Sequence, residues 1–357
     1  MSFSYYRSVT IDHTQCGSSN SINFPVLFNT TNNSFKTVGN GGKVQNSNGY
    51  DIRPYSDSSL TIPLTFELER YNASTGEVVM WINVPTVSSS TDTVIYIAYG
   101  DASISSDGSS AATWNSNFKG VWHLKDGTTL SLIDIIGNNN LTNSGATATA
   151  GQIDGGAAFN GSSQYASKTS SVTSLPAMNA TVTMSVWFTI GVADGTDRSG
   201  VTLTDSNGFF QFAQHSSTVG FWKGGPTAIG ATQANPTINT LHHMVLTYDG
   251  TTNRAYYDGT ALTTDTVGHD AGTVTAIYFS TYNAGAQFWN GILDDVRISD
   301  SVRSADWILT EYNNQKTSST FYSLGSEITV GGSTSMIAAG ISIIYIPGPR
   351  KSQIIIV

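Results

Sequence analysis

The runs EVVMWINV at residues 77–84 and TVIYIAY at residues 93–99 decide the fold class of this chain. Both are rich in β-branched and aromatic residues, which is typical of buried strands. Elsewhere polar and apolar residues begin to alternate, as in YRSVTI at residues 6–11, and turn residues such as Asn48-Gly49 separate the runs. Long helical periodicity is nearly absent. The pattern therefore predicts an all-β chain built from sandwiches.

Composition divides the chain of 357 residues into two domains and a tail. The stretch GDASISSDGSS at residues 100–110 is small and polar, which predicts a linker. We therefore expect a first β-sandwich at residues 1–112 and a second, larger one at residues 113–325. The second contains one predicted helix near residues 304–313, with Ser304 as its N-cap.

The apolar tail at residues 326–357 ends in Ile354-Ile355-Ile356-Val357. An exposed strand of this composition is an aggregation hazard, because it offers unpaired backbone groups and high β propensity. We therefore expect the end to be paired. It either returns to its own domain as an edge strand or docks on a neighbouring subunit as an assembly strand, which would make the protein a homo-oligomer.

The chain carries little charge, and its balance is acidic. Charged residues make up 11% of it, against about 25% in an average protein. The net charge of −9 argues against nucleic-acid binding, which needs clustered positive charge. The longest apolar run, residues 336–346, is shorter than the roughly 20 residues of a membrane-spanning helix, so no membrane insertion is expected.

Two further features bear on the compartment. Cys16 is the single cysteine, so no intrachain disulfide forms. The opening residues are polar and aromatic, unlike the basic start and apolar run of a secretory signal. We expect either a mature fragment or a protein that is not exported by that route.

Five stretches of the second domain carry a family likeness. They are GVWHL at residues 120–124, GGAAFNG at 155–161, TMSVWF at 183–188, HHMVLTYDG at 242–250 and FWNGILDDVRI at 288–298. In this order they resemble laminin-G-like domains of the concanavalin A-like jelly-roll family. The resemblance implies that the second sandwich is a jelly roll.

The first domain also resembles a known module. The likeness rests on residues 6–12, 23–27, 49–52 and 89–100. The module has no assigned chemistry and often precedes such jelly rolls in phage and surface proteins. It therefore supports the domain order and says little about function.

The jelly-roll family includes glycosidases, so catalysis has to be considered. Glycoside hydrolysis needs two carboxyl groups about 5–9.5 Å apart, and glucanases of this fold supply Glu and Asp from one strand. No glutamate lies between Glu77 and Glu311. Asp294 and Asp295 are adjacent, and in a regular strand they point to opposite faces. No Gly-x-Ser-x-Gly motif is present. We expect that the protein is not an enzyme.

The resemblance also implies a structural calcium ion. Asp294 would supply the side-chain ligand, with carbonyl groups near Asp126 and Asn160 completing the site. In a regular strand Asp294 shares a face with Val296 and Ile298, where a buried carboxylate needs compensation. Either calcium or hydrogen bonds would supply that compensation.

Carbohydrate recognition uses aromatic platforms beside a few polar groups. The candidate residues for glycan binding are Trp187, Trp222, Trp289, Tyr282 and Asn283. Packing in the protein core is the alternative for each aromatic ring.

Taken together, these features predict a non-enzymatic protein of a virion surface, such as a phage tail, fibre or capsid-decoration component. Its jelly roll would bind a cell-surface glycan, while the first domain or the tail would contact other virion structural proteins. The alternatives are a bacterial or archaeal cell-surface adhesin, which would be extracellular, and a glycan-active hydrolase.

Overall fold

The computed structural model of this protein describes residues 2–125, 129–225 and 227–330, together with the backbone of two strands at 343–346 and 353–356. Within these residues the chain is nearly all β, and its strands form two sandwiches. The predicted all-β fold is thereby confirmed.

The first sandwich begins with strands that pair into two antiparallel sheets. These strands are β1 (Tyr5–Ile11), β2 (Ser21–Thr31), β3 (Arg53–Tyr55), β4 (Phe66–Asn72), β5 (Glu77–Val87) and β6 (Thr93–Tyr99). One sheet has the order β2-β5-β4, and β1, β6 and β3 belong to the other. Val78, Val79, Met80, Trp81 and Ile82 of β5 are all buried, so the β2-β5-β4 sheet is covered on both faces.

Two large sheets form the second sandwich. Its strands are β7 (Phe118–Trp122), β8 (Thr142–Ser144), β9 (Thr147–Thr149), β10 (Gly156–Asn160), β11 (Tyr165–Lys168), β12 (Val182–Phe188), β13 (Arg198–Thr204), β14 (Phe209–His215), β15 (Thr218–Lys223), β16 (Thr227–Ala228), β17 (Gln233–Ala234), β18 (His242–Tyr248), β19 (Asn253–Tyr257), β20 (Thr260–Asp265), β21 (Ala276–Phe279) and β22 (Asn290–Ser299).

The two sheets of the second sandwich have different surroundings. The junction sheet, β20-β19-β18-β12-β22-β10-β9 with β7 on β22, faces the first sandwich. The outer sheet, β16-β15-β14-β13-β21-β11-β8 with β17 on β15, lies on the far side. Apolar side chains such as Phe188, Phe212 and Trp289 fill the space between them. The outer sheet is therefore the one whose second face is turned away from the first sandwich.

The chain then returns to the first sandwich. Helices α1 (Ala305–Lys316) and α2 (Ser318–Phe321) lead into β23 (Tyr322–Leu324) and β24 (Ile328–Thr329), which both pair with β1. Residues 322–329 thus complete the first sandwich, although the sequence pattern assigns them to the end of the jelly roll and the start of the tail. Further on, β25 (Ile343–Ile346) and β26 (Gln353–Ile356) pair with each other.

Helix α1 begins where the sequence predicts. The Ser304 hydroxyl accepts the Trp307 N–H at 3.1 Å, and Asp306 lies in the first turn, where a carboxylate favours the helix dipole. None of the helices in the described residues has the length and apolar content needed to cross a membrane.

Helix α1 fastens the first sandwich to the second. The Asn314 amide closes the edge of β2, because its Oδ1 accepts the Leu27 N–H at 2.7 Å and its Nδ2 donates to the Leu27 carbonyl at 3.0 Å. Nearby, the Trp307 ring packs edge-on against Phe24, with centroids 4.7 Å apart. A side-chain amide thus takes the place of a neighbouring strand.

A β-bulge in β22 reverses the faces that regular alternation predicts. Asp295 has a φ of +47°, and the register of β22 with β12 shifts near this point. As a result Leu293, Val296 and Ile298 all pack in the core between the two sheets. Asp294 and Asp295 both lie on the opposite side, toward the first sandwich. The expectations that Asp294 shares a face with Val296 and that the two aspartates diverge are therefore wrong.

We predict that Asn314→Ala destabilises the whole chain by about 1–3 kcal/mol, because it leaves the buried N–H and carbonyl of Leu27 without partners. Chemical unfolding measures the change. Asn313→Ala is the matched control, since Asn313 makes one partly exposed hydrogen bond, to the Gln15 carbonyl. Equal losses for the two variants would contradict the role given to Asn314.

Candidate functional site

Buried acidic and basic side chains meet between the two sandwiches. His123, just after β7, lies 3.3 Å from Glu67 (Nε2 to Oε2) and 3.7 Å from Glu69 (Nδ1 to Oε2). Its Nδ1 is also 3.0 Å from Oδ1 of Asp295. We use the name junction cluster for these four residues together with Arg297 and Glu311, their further ion-pair partners. It joins two glutamates of the first sandwich to the bulge of β22.

Arg297 extends the junction cluster toward helix α1. Its guanidinium pairs with Asp295 and, at 2.8 Å, with Glu311. The guanidinium carbon also lies 4.3 Å from the centroid of Trp81 and 4.7 Å from that of Trp114. Aromatic rings therefore enclose the charges.

The same two indoles hold the glutamates in place. Trp81 Nε1 donates to Glu69 Oε2 at 2.6 Å, and Trp114 Nε1 donates to Glu67 Oε2 at 2.8 Å. The Trp81 ring lies nearly parallel to His123, with centroids 5.6 Å apart. The two indole N–H groups thus orient the carboxyl groups of Glu67 and Glu69.

Burial and pairing shift the pKa values of the junction cluster in opposite directions. Burial raises the pKa of Glu69 to about 8. Burial works against the charged form of His123, but Glu69 and Glu67 outweigh it and raise its pKa well above the ordinary value. Burial also opposes ionisation of Asp295, yet Arg297 and His123 lower its pKa. The folded protein therefore holds protons on His123 and Glu69 that the unfolded chain releases more easily.

The junction cluster has the carboxyl groups of a hydrolase but no access for a substrate. Side chains of Glu67, Glu69, Asp295 and Glu311 are at most 7% exposed. The sequence of the second domain has no glutamate before Glu311. In the structure, however, Glu67 and Glu69 of the first domain lie next to β22, the closing strand of the second domain. We interpret the cluster as the polar core of the junction.

We predict that the free energy of unfolding falls by about 1–3 kcal/mol between pH 6 and pH 9. A group whose pKa is higher in the folded protein than in the unfolded chain stabilises the fold by binding its proton. For His123 this stabilisation is fully present below the pKa of the unfolded chain, 6.5, and is lost as the pH rises through the pKa of the folded protein. Glu69 acts in the same direction up to about pH 8.

Thermal or urea unfolding at each pH tests this prediction. His123→Gln should flatten the dependence, whereas His13→Gln, on the exposed rim of the first sandwich, should leave it unchanged. Stability that is constant or rises over this range would contradict the protonation assigned to the cluster.

An open cavity lies on the outer sheet, on the far side of the second sandwich. It has a volume of about 420 Å³. Strand β14 supplies its floor, because Phe210 and Phe212 point into the core and their neighbours point outward. The lining residues are Asp197, Phe209, Gln211, His215, Gly225, Tyr282 and Gln287.

Aromatic rings form two walls of this cavity. Phe209 and Tyr282 meet edge to face, with centroids 4.7 Å apart. On the other side His215 stacks on Trp222 at 5.7 Å. The Phe209 and Tyr282 rings line the cavity on one side, and on the other side the His215 ring lines it with the buried Trp222 behind it.

Polar side chains occupy the floor. Gln211 Oε1 accepts hydrogen bonds from the hydroxyls of Ser199 at 2.8 Å and Thr202 at 3.3 Å, which fixes the orientation of its amide. Asp197 accepts the Ser216 N–H at 3.0 Å and lies 3.3 Å from His215 Nε2. These groups are held in place before any ligand arrives.

A second cavity of about 470 Å³ adjoins the first and shares Asp197 and Gln287 with it. Its other lining residues are Gly161, Ser162, Gly195, Thr196, Arg198 and Phe288. We call the two cavities together the outer groove.

The structure brings part of the predicted glycan site together. Tyr282 lines the outer groove, Trp222 supports His215 beneath it, and Asn283 is exposed in the adjoining turn. Trp187 is covered by helix α1, where it stacks on Tyr312. Trp289 is fully buried between the sheets. The prediction that Trp187, Trp222 and Trp289 serve as sugar platforms is therefore wrong, because none of these rings is accessible.

Sequence reasoning missed the residues of the groove floor. In FFQFAQH at residues 209–215, alternation places Phe209, Gln211 and His215 on one face, so a signal was present. Asp197 and Gln287 come from loops far apart in sequence, and no spacing connects them.

The residues expected to hold calcium do not form one site. Asn160 pairs with Asn290, four residues before Asp294, which is ~13 Å along the strand at about 3.3 Å per residue. Two ligands of one calcium ion lie within about 5 Å of each other. Asp294 Oδ2 instead accepts the N–H groups of Gln152 and Ile153, and Asp126 lies outside the described residues.

One group elsewhere in the described ranges has metal-ligating side chains in close proximity: Asp12, His13 and Asp92. His13 Nδ1 lies 2.7 Å from Asp92 Oδ1, and Asp12 Oδ1 accepts two hydrogen bonds from Thr14. These bonds account for the arrangement without an ion.

Comparison with known proteins agrees with this domain order. Residues 159–309 match the family described as the concanavalin A-like lectin/glucanases superfamily, and residues 48–130 match a domain of unknown function, DUF2341. Both resemblances drawn from the sequence are thereby confirmed. No curated protein matches the chain.

Among solved structures, three that match part of this chain are the following. Domain 4 of AbnA, a GH43 extracellular arabinanase from Geobacillus stearothermophilus in complex with arabinotriose, is 13% identical with a TM-score of 0.44, covering 55% of this chain and 98% of that one. The Trypanosoma rangeli sialidase in complex with sialic acid is 13% identical with a TM-score of 0.45, covering 66% and 42%. The receptor-binding domain of botulinum neurotoxin type G is 12% identical with a TM-score of 0.45, covering 56% and 52%. This chain thus spans about half, or less, of the last two.

Proposed function

We propose that this chain, whose second sandwich is a concanavalin A-like lectin/glucanase domain, binds carbohydrate in the outer groove without cleaving it. The observation that carries the proposal is the groove itself. It combines two aromatic walls with a prearranged amide and carboxylate on an open face.

The chemistry of the groove suits a sugar. The apolar face of a pyranose or furanose ring packs on aromatic rings such as Tyr282 and Phe209. Planar groups such as the Gln211 amide and the Asp197 carboxylate accept or donate hydrogen bonds to neighbouring hydroxyls. Gln211 and Asp197 are held by other protein groups, so little ordering cost remains on binding.

The carboxyl groups favour binding over hydrolysis. Asp197 is the one carboxylate in the described walls of the outer groove. Hydrolysis of a glycosidic bond needs a second one about 5–9.5 Å away. The junction cluster has several carboxylates, but they are sealed on the other side of the second sandwich. A hydrolase therefore remains the less favoured candidate.

We place this binding activity on a surface that meets cells, in the first instance that of a phage particle. The order of the domains supports this placement, since the first sandwich resembles a module that precedes such jelly rolls in phage and surface proteins. The first sandwich or the tail would contact other structural proteins of the particle. A bacterial or archaeal adhesin is the alternative, and the neighbouring genes would discriminate between them.

We predict that Tyr282→Ala weakens binding of the best ligand on a glycan array by about tenfold, because it removes one stacking wall. Calorimetric titration with that glycan measures the change. Tyr96→Ala is the matched control, since Tyr96 packs on Tyr6 in the first sandwich. Failure of the intact protein to bind any glycan, or equal losses in both variants, would contradict the proposal.

We further propose that the tail mediates self-association, because a ribbon of two strands is not stable alone. Deletion of residues 332–357 should then reduce the oligomeric mass measured by sedimentation. Unchanged assembly would exclude this role for the tail.

A further inference from the structure

The cations beside the outer groove are already paired with acids. Arg198 lines the second cavity and is buried, and its Nη1 and Nη2 donate to the two carboxylate oxygens of Asp194 at 2.7 and 2.9 Å. Lys223, at the end of β15, lies 3.5 Å from Asp270. Strands β13 to β15 carry no other lysine or arginine.

Further hydrogen bonds hold Asp194 in the position in which it pairs with Arg198. Its Oδ1 also accepts the N–H of Thr196 at 3.0 Å, and Arg198 Nη1 donates to the Thr196 carbonyl at 3.2 Å. The turn from 194 to 198 therefore closes on itself through side chains. The Arg198 guanidinium, together with the Thr196 N–H, holds the pKa of Asp194 below its ordinary range, so the pair stays charged.

The walls of the groove are then left with excess negative charge. Asp197 lines both cavities, whereas the acids that pair with Arg198 and Lys223 do not line either of them, and the described walls hold no other lysine or arginine. A ligand carboxylate would meet Asp197 and find no guanidinium free to accept it. It would have to displace Asp194 from a two-point ion pair, which is the strongest form of this interaction.

We propose that the outer groove selects uncharged glycans and rejects those with carboxylates, such as sialic or uronic acids, and that Asp194 enforces this choice by holding Arg198. The inference rests on the proposed function and adds the class of sugar. Like charges placed together across an interface are a general means of rejecting wrong partners.

A matched pair of ligands tests the inference. The probe is the neutral glycan that the intact protein binds best on an array, together with the same glycan after oxidation of its primary hydroxyls to carboxylates. The methyl ester of the oxidised glycan separates charge from the loss of a hydroxyl group. Affinities are measured by calorimetry at low salt and at 1 M salt, where electrostatic repulsion is screened.

For the intact protein we expect the carboxylated glycan to bind at least about tenfold more weakly than its methyl ester at low salt, with a smaller ratio at high salt. Asp194→Asn should reduce the ratio to about threefold or less, because Arg198 becomes free to face the ligand. Asp249→Asn is the matched control, since Asp249 also caps an exposed turn but lies at the end of β18 in the junction sheet. It should keep the ratio of the intact protein.

The outcomes separate the two proposals. If the array shows binding of sialylated or uronate-containing glycans and none of neutral ones, the inference is overturned while glycan binding stands. The same holds if the carboxylated probe binds as well as its ester. If no glycan of either kind binds, the proposed function fails, and the selectivity inferred from it fails as well.

Discussion

The bulge at Asp294 and Asp295 places three ionisable side chains of the closing strand, Asp294, Asp295 and Arg297, in a buried space between two sandwiches. Charges buried in this way are stable only when they are paired, and removal of one partner typically costs about 3–5 kcal/mol. Asp295 and Arg297 pair with each other, with His123 and with Glu311 of helix α1, and the Trp81 ring of the first sandwich covers the guanidinium. The side chains of this buried cluster therefore come from both sandwiches and from helix α1. After the jelly roll the chain also returns to the first sandwich, which β23 and β24 complete by pairing with β1.

Local patterns predicted the strands and the helix well. Branched and aromatic runs gave β5 and β6, and Ser304 with Asp306 gave the start of α1. These local patterns could not predict the bulge in β22. A bulge moves every side chain that follows it in the strand to the opposite face of the sheet, and the composition of the strand does not show where the bulge lies. Trp187 illustrates a second limit. Its strand was predicted, but the helix that covers its ring lies more than a hundred residues later in the sequence.

In the candidate site, too, some residues could be predicted from local sequence patterns and others could not. Tyr282 and the outward face of β14 could be predicted from the sequence, whereas Asp197 and Gln287 join them only through the fold. The absence of glutamate from residues 78 to 310 first suggested binding rather than cleavage. In the structure, the lack of glutamate in the second domain is no longer an argument against hydrolysis, because Glu67 and Glu69 of the first domain contact the second sandwich. Accessibility of the carboxyl groups, rather than their number in one domain, is therefore the basis on which we propose binding without cleavage.

The central claim is that ligand binds at the outer groove and that the junction cluster has a structural role. Hydrogen–deuterium exchange with and without a bound glycan tests it most directly, because it reports on both sides of the second sandwich at once. We predict slower exchange in residues 209–215 and 281–288, with no change around Glu67, His123 and Asp295. Protection centred on the junction cluster, or release of cleaved sugar during the measurement, would contradict the account.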